Sequence, residues 1–231
     1  MNIKIWSDIR CPFCYIGKKH FETALEHFPH KDKVTVEWKS FELDPNLQTT
    51  TNVDAITHFV ETKGIDKERA KHMFNNVTAM AANTGLDFKL EQSVPANSLN
   101  AHRLLHIAKE KGLANQAKEA LLKSHLSEGK NIDDLDVLVS LANQLGMNAT
   151  EVRKTLESDD YTYEVRQNEM EARNLGINSV PFFVLDNKYG ISGAQPVEVF
   201  TETLEKVWKE SQSKLEIIST SNTCDVDGNC N

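Results

Sequence analysis

The chain has little of what marks a secreted, membrane-spanning or nucleic-acid-binding protein. Its 231 residues hold only four cysteines, too few for a disulfide scaffold at this size. No run approaches the roughly 18 apolar residues of a membrane span, which leaves no membrane partner to expect. The opening residues lack the basic, then apolar, then small-residue order of a secretory leader, so a cytoplasmic location is expected. Positive charge is in deficit, with 26 Lys and Arg against 34 Asp and Glu, a net −8. No basic stripe offsets that balance, which repels phosphate backbones and excludes nucleic acid as a partner. Internal repeats are absent as well. What remains is an ordinary globular composition, 39% apolar and 26% charged, in a chain long enough for one large domain or two modest ones.

Against that background one stretch stands out. Cys11-Pro12-Phe13-Cys14 places two thiols one helical turn apart, close enough to open and close a disulfide. Ile3 to Asp8 reads as a short strand ending in a cap-like Asp. Tyr15 to Phe28 reads as an amphipathic helix, with Phe21, Leu25 and Phe28 at helical spacing. The motif therefore sits where a strand becomes a helix. Unpaired N–H groups and the macrodipole favour an anion there, so Cys11 is expected to have a depressed thiol pKa, and Cys14, a turn deeper, to be shielded. Pro12 fits the first helical turn. Two other readings compete. A zinc site needs four ligands, but the remaining cysteines, Cys224 and Cys230, lie at the far end and no His-x3-5-His spacing accompanies either pair, so no metal is expected. Inert core cysteines would leave the strand-to-helix position a coincidence.

The rest of the chain falls into three textures. Val34 to Lys39 alternates with period two and ends at Asp44-Pro45, completing a strand–helix–strand unit that implies a parallel pair. From residue 53 to 177 helical periodicity dominates, over Val53–Lys63, Lys67–Thr84, Ala96–Lys111, Ala114–Glu128, Leu135–Leu145, Thr150–Glu157 and Tyr161–Leu175. Glycines 64, 85, 112, 129, 146 and 176 stand where left-handed C-terminal caps belong. Strand texture returns at Val180 to Leu185, turns over Asp186 to Gly190, and gives way to a helix from Val197 to about Leu215. The layout is the thioredoxin plan with a helical domain spliced in. Residues 1–46 and 178–218 form the α/β domain, 47–177 the insertion and 219–231 a tail.

Ser179-Val180-Pro181-Phe182 supplies the expected second half of the site. Read alone, Pro181 is a proline that starts a strand without donating to its ladder. Read with the cysteine motif, Val180–Pro181 is expected to be cis, with the Val180 backbone beside the thiols and free to pair with an extended substrate.

Ser7-Asp8-x-x-Cys11-Pro12-Phe13-Cys14-Tyr15-Ile16-Gly17 resembles the active-site segment of the FrnE-like branch of the DsbA-type thiol–disulfide oxidoreductases. The likeness continues through Phe41-Glu42-Leu43-Asp44-Pro45, through Asn97-Ser98-Leu99-Asn100-Ala101-His102-Arg103-Leu104, and through Gly176-Ile177-x-x-Val180-Pro181-x-Phe183. Phe13 stands where that family usually has Trp, which keeps an aromatic and loses an indole donor. The resemblance implies a thioredoxin-like fold with an all-helical insertion, no organic cofactor, and disulfide exchange with protein or small-thiol disulfides. It implies Cys11 as nucleophile, Cys14 as resolving thiol and Pro181 as the cis-proline, with Val180 and Phe13 beside the substrate. His102 and Arg103 become candidate supporting residues. Asp8 is either a proton relay to Cys14 or a cap of the strand–helix turn, with the cap preferred.

Exchange chemistry then sets the expected function. In a reducing compartment a reductase or isomerase fits better than a net oxidase, fed by a thioredoxin or glutathione system. A rival from another class shares the architecture, a glutathione-dependent isomerase or transferase of small molecules. Such proteins typically carry Ser at the first cysteine and lack the second, so both thiols argue against it. In the tail, Asp227-Gly228 favours a turn that brings Cys224 and Cys230 within bridging distance. A similar pair in some members of the resembled family suggests an auxiliary redox dithiol.

Overall fold

The computed structural model describes residues 1–211. The Cys224–Cys230 pair and the end of the last expected helix lie outside the described residues. Strand β1 (Asn2–Ser7) runs into helix α1 (Pro12–His27) and returns as β2 (Thr35–Ser40). Seven helices follow: α2 (Ala55–Lys63), α3 (Lys67–Ala82), α4 (Leu99–Glu110), α5 (Ala114–Leu126), α6 (Leu135–Gln144), α7 (Ala149–Glu157) and α8 (Thr162–Asn174). Strands β3 (Phe182–Leu185) and β4 (Tyr189–Ser192) and helix α9 (Val197–Ser211) close the described chain. The six glycines read as helix caps all have positive φ, the conformation that leaves L side chains strained and ends these helices.

The sheet has the order β2-β1-β3-β4. β1 and β2 are parallel, from Asn2 opposite Thr35 to Ser7 opposite Ser40. β3 lies antiparallel to β1, with Ile5 opposite Phe183, and β4 folds back on β3. Asp186, Asn187 and Lys188 make the three-residue connection, with Asp186 and Asn187 at φ 48° and 52° and the Lys188 N–H donating to the Leu185 carbonyl at 3.0 Å. Two positive φ values in succession give the hairpin twist that matches paired strands.

Period two then decides what each face of the sheet meets. Ile3, Ile5, Phe183 and Leu185 share a core with Phe21 and Phe28 of α1 and Phe200 and Leu204 of α9. Phe21, Phe183 and Phe200 form an aromatic triad with centroids 4.7–5.9 Å apart. Burial of each such ring stabilises the fold by about 1.5–3 kcal/mol. Trp6 and Val184 point the other way and pack on Ala172 and Ile177 at the end of α8. Trp6 Nε1 donates to the Asn168 carbonyl at 2.9 Å, while Asn168 Oδ1 accepts from the Ser40 amide at 3.0 Å. These bonds hold α8 across β1 and β2. The insertion also reaches α1, where Tyr15 and Ile16 pack with Phe88, Leu122 and Leu126. Helix α1 is thus held between the sheet domain and the inserted helices.

Candidate active site

The site is built at the β1–α1 junction. Cys11 is the N-cap residue of α1, with extended φ and ψ of −86° and 112°, and Pro12 occupies the first helical turn. The Cys14 amide donates to the Cys11 carbonyl at 3.0 Å, which folds the turn so that both thiols come together. Both cysteines are free thiols and both are buried, Cys11 at 4% exposure and Cys14 at 1%. The Val180–Pro181 bond is cis. It brings the Val180 carbonyl 3.7 Å from Cys11 Sγ, within reach of the S–H donor. Gly17 completes the fit: a Cβ there would stand 3.0 Å from Pro181 Cγ and 3.3 Å from Ala194 Cα. Glycine thus lets α1 lie this close to the proline segment without the shift of a few tenths of an ångström that a Cβ would force. Phe13, 39% exposed, is presented outward from the turn.

The two thiols do not ionise independently. A hydrogen bond with Cys14, burial and the charge on Cys14 push the Cys11 thiol well above its ordinary value, and the Asp8 carboxylate adds to this. Burial also pushes Cys14 up. The hydrogen bond from Cys11, the Lys118 ammonium and the Ser7 hydroxyl outweigh it, so Cys14 ends below the usual thiol value. The pair therefore gives up its first proton early and holds its second, because two thiolates would be buried side by side. Beside the expectation of a depressed Cys11 thiol, the single thiolate belongs to the coupled pair, and the charges and hydrogen bonds around it favour Cys14. The helix N-terminus favours one anion, and in the reduced protein the cation that fixes its position lies beside Cys14.

That cation, Lys118 of α5, is a residue the sequence reading missed. It is fully buried, with Nζ 3.2 Å from the Ser7 carbonyl and 5.5 Å from the centroid of Trp38. Burial brings its pKa down to about 8, against the opposing charges of Cys14 and Asp8. A signal was present in the sequence: Lys118 lies three and four residues before Leu121 and Leu122, on the stripe that α5 buries.

Asp8 is fully buried and acts as the cap of the turn. Its carboxylate accepts from the Leu43 amide at 2.8 Å and the Arg10 amide at 3.2 Å. His102 Nε2 approaches its Oδ1 at 3.5 Å. Burial pushes Asp8 up, yet the imidazole, the Leu43 amide and Arg10 together hold it well below the ordinary carboxylate range. A group held so low stays ionised at neutral pH and is a fixed charge rather than a proton carrier. Burial lowers His102 in turn, despite the facing carboxylate, so its imidazole is neutral. Arg103 points elsewhere. Its guanidinium donates to the carbonyls of Asp160 at 2.7 Å, Thr155 at 2.8 Å and Leu156 at 3.1 Å, and ties the α7–α8 connection to α4. Asn97, from the same block, binds the carbonyls of Pro45 and Leu47 and holds the loop after β2.

A model of the DSBA-like thioredoxin domain matches residues 2–205. The chain belongs to that family. A probable DsbA oxidoreductase from Streptomyces coelicolor superposes with a TM-score of 0.87 at 40% identity, covering 100% of this chain and 98% of that one. YwbO of Bacillus subtilis, an uncharacterized protein, is 29% identical over 93% of this chain and 98% of its own. The cytosolic disulfide reductase DsbM of Pseudomonas aeruginosa, 15% identical over 91% of this chain and all of its own, has a TM-score of 0.63 and shares the fold. In this chain the cysteine pair and the proline segment meet where Cys11 Sγ lies 3.7 Å from the Val180 carbonyl.

Proposed function

We propose that this DsbA-family protein is a cytoplasmic thiol–disulfide oxidoreductase of protein disulfides, working as a reductase or isomerase. The observation that carries the reading is a pair of reduced thiols, one at a helix N-cap under the Val180 carbonyl, the other beside a buried lysine. Cys11 passes its proton to Cys14 as substrate arrives, and its thiolate attacks one sulfur of the substrate disulfide. A Cys11–substrate bond forms, the substrate S–S bond breaks, and the other substrate sulfur leaves as a thiolate that takes up a proton. Cys14 then loses its proton and attacks Cys11 Sγ. The Cys11–Cys14 disulfide forms, and the second substrate thiol leaves. Two electrons have passed to the substrate, and a dithiol or small-thiol partner of the thioredoxin or glutathione kind returns them. Val180 offers its backbone to the substrate chain, Phe13 an apolar contact, and Pro181 shapes the approach. The Lys118 ammonium supports the thiolate stored on Cys14. Cys224 and Cys230 serve as an auxiliary dithiol on this reading.

Reduction of insulin disulfides, set beside a glutathione-conjugation assay on small electrophiles, tests the proposal. Insulin reduction, with Cys14→Ser trapping mixed disulfides and Cys11→Ser trapping none, supports it. Conjugation without disulfide reduction overturns it in favour of small-molecule glutathione chemistry.

A further inference from the structure

Pro181 is held from two directions. Its ring lies against Gly17 of α1, and its carbonyl accepts from the Gly193 amide at 2.8 Å. Gly193 opens the loop between β4 and α9 and has a φ of +83°, a turn that L side chains rarely adopt. Two residues on, the Gln195 carbonyl accepts from His20 Nδ1 at 2.8 Å, which ties the loop to α1. Gly17 and His20 are three residues apart on that helix and so share a face. Between the two tethers stands Ala194, whose Cα is 3.3 Å from where a Cβ on Gly17 would be. Ala194 also packs against the cluster of Tyr15, Ile16 and Phe88, so the loop is backed by α1 and by the insertion. The loop closes on itself as well, with Gln195 Nε2 donating to the Ser192 carbonyl at 2.9 Å.

We infer that Gly17 and His20 are positioning residues for disulfide exchange: through Ala194 and Gln195 they set how closely Val180–Pro181 sits against Cys11. The inference rests on the disulfide-exchange reading and adds the residues that fix the substrate's approach. The Val180 carbonyl shares one planar peptide unit with the Pro181 nitrogen. The ring therefore cannot shift without moving that carbonyl relative to Cys11 Sγ, 3.7 Å away. A thiol that donates to a carbonyl is held in its neutral form. Loosening the loop then has two opposite consequences. Cys11 loses the acceptor of its proton and reacts faster with a small electrophile. An extended substrate loses the backbone it pairs with and is reduced more slowly. Cys14, 1% exposed, separates this from a general opening of the site, which would expose it too.

The test compares the reduced wild-type chain with His20→Ala, His20→Asn and Gly17→Ala. Insulin reduction is measured beside iodoacetamide alkylation, with Cys11 and Cys14 mapped separately. His20→Ala is expected to lower kcat/KM for insulin about threefold to tenfold, the range of one lost hydrogen bond. It should speed Cys11 alkylation about twofold or more while Cys14 stays protected. His20→Asn, whose amide can donate to Gln195, restores both rates. Gly17→Ala moves both rates as His20→Ala does; if it fails to fold, His20→Ala decides alone. His27→Ala changes neither rate, because that ring bonds the Thr23 carbonyl of α1 itself. Unchanged rates in His20→Ala overturn the inference while leaving disulfide exchange standing. Alkylation of Cys11 and Cys14 rising together also overturns it. Failure of the wild-type protein to reduce insulin counts against the exchange reading itself. In that event alkylation still decides the positioning: a faster Cys11 with a protected Cys14 in His20→Ala upholds it, and an unchanged Cys11 overturns it.

Discussion

The two sides of helix α1 are made from different materials. Toward the sheet and α9 it presents Phe21, Ala24 and Phe28 to an apolar core that includes the Phe183–Phe200 pair. Toward the insertion it adds charge to the apolar contacts of Tyr15 and Ile16. Lys18, almost fully buried, donates to Glu22 at 2.8 Å and to Glu119 at 2.5 Å, and the Tyr15 hydroxyl donates to Glu119 at 2.6 Å. Asp8, His102 and Lys118 extend that polar seam to the thiols. The apolar side contributes most of the stability, because large rings leave water. The polar side contributes little net stability, since each buried charge must be desolvated before its partner compensates it. Its consequence is chemical: it sets where the one thiolate of the pair resides.

The largest expected effect breaks the apolar side alone. Phe200→Ala should cost about 3–5 kcal/mol in urea unfolding, the usual loss for a buried aromatic, with the thiol ionisation of the folded protein unmoved. Next, Lys118→Met should leave stability nearly intact while making the Cys11–Cys14 potential more reducing by about 30 mV or more, where 30 mV corresponds to about 1.4 kcal/mol. The sign follows from charge. Lys118 stabilises the thiolate of the reduced form and faces no such charge in the disulfide, so its loss weakens the reduced form. Equilibration with glutathione buffers reads the shift, and a potential unchanged or less reducing would break the contrast between the two sides.

The smallest effect sharpens the polar side. Lys18, Lys19 and Tyr15 hold the half-buried Glu119 down to about 2, against the upward push of burial. A carboxylate depressed on folding stabilises above its unfolded value, near 4.3, and that contribution is lost as pH falls toward 2. Glu119→Gln should therefore cost no more than about 1 kcal/mol at neutral pH, given its exposure. It should also flatten the loss of stability between about pH 4 and pH 2 in acid-unfolding curves.

Much of this arrangement was legible in the sequence, for local reasons. Pro12 and the two cysteines declare a helix start, the six cap glycines declare helix ends, and period two declares which way Ile3, Ile5 and Trp6 face. The pairing of the thiols with Val180–Pro181 was legible only because the two motifs together imply what neither does alone. Lys118 was legible only through its register with Leu121 and Leu122, because a lysine in Ala-Lys-Glu-Ala-Leu-Leu otherwise reads as a solvent-facing helix residue until a partner makes burial tolerable. That partner lies on β1 and α1, far away in sequence. Arg103 failed in the opposite sense: its block resembled a site-facing one, but the carbonyls ending α7 claim the guanidinium. The balance between Cys11 and Cys14 also depends on Lys118, and so could not be read from the helix terminus alone.

The central claim is that the pair holds one thiolate, supported by Lys118 from the insertion. Titration of thiolate ultraviolet absorbance in the reduced protein with Cys224 and Cys230 replaced by serine, side by side with the same chain carrying Lys118→Met, tests it most directly. The chain that keeps Lys118 should gain one thiolate equivalent below the ordinary thiol value of about 8.5 and its second only well above it. Lys118→Met should move the first step upward and leave two steps. Two thiolates appearing together near the ordinary value, or a first step that Lys118→Met does not move, would contradict the account.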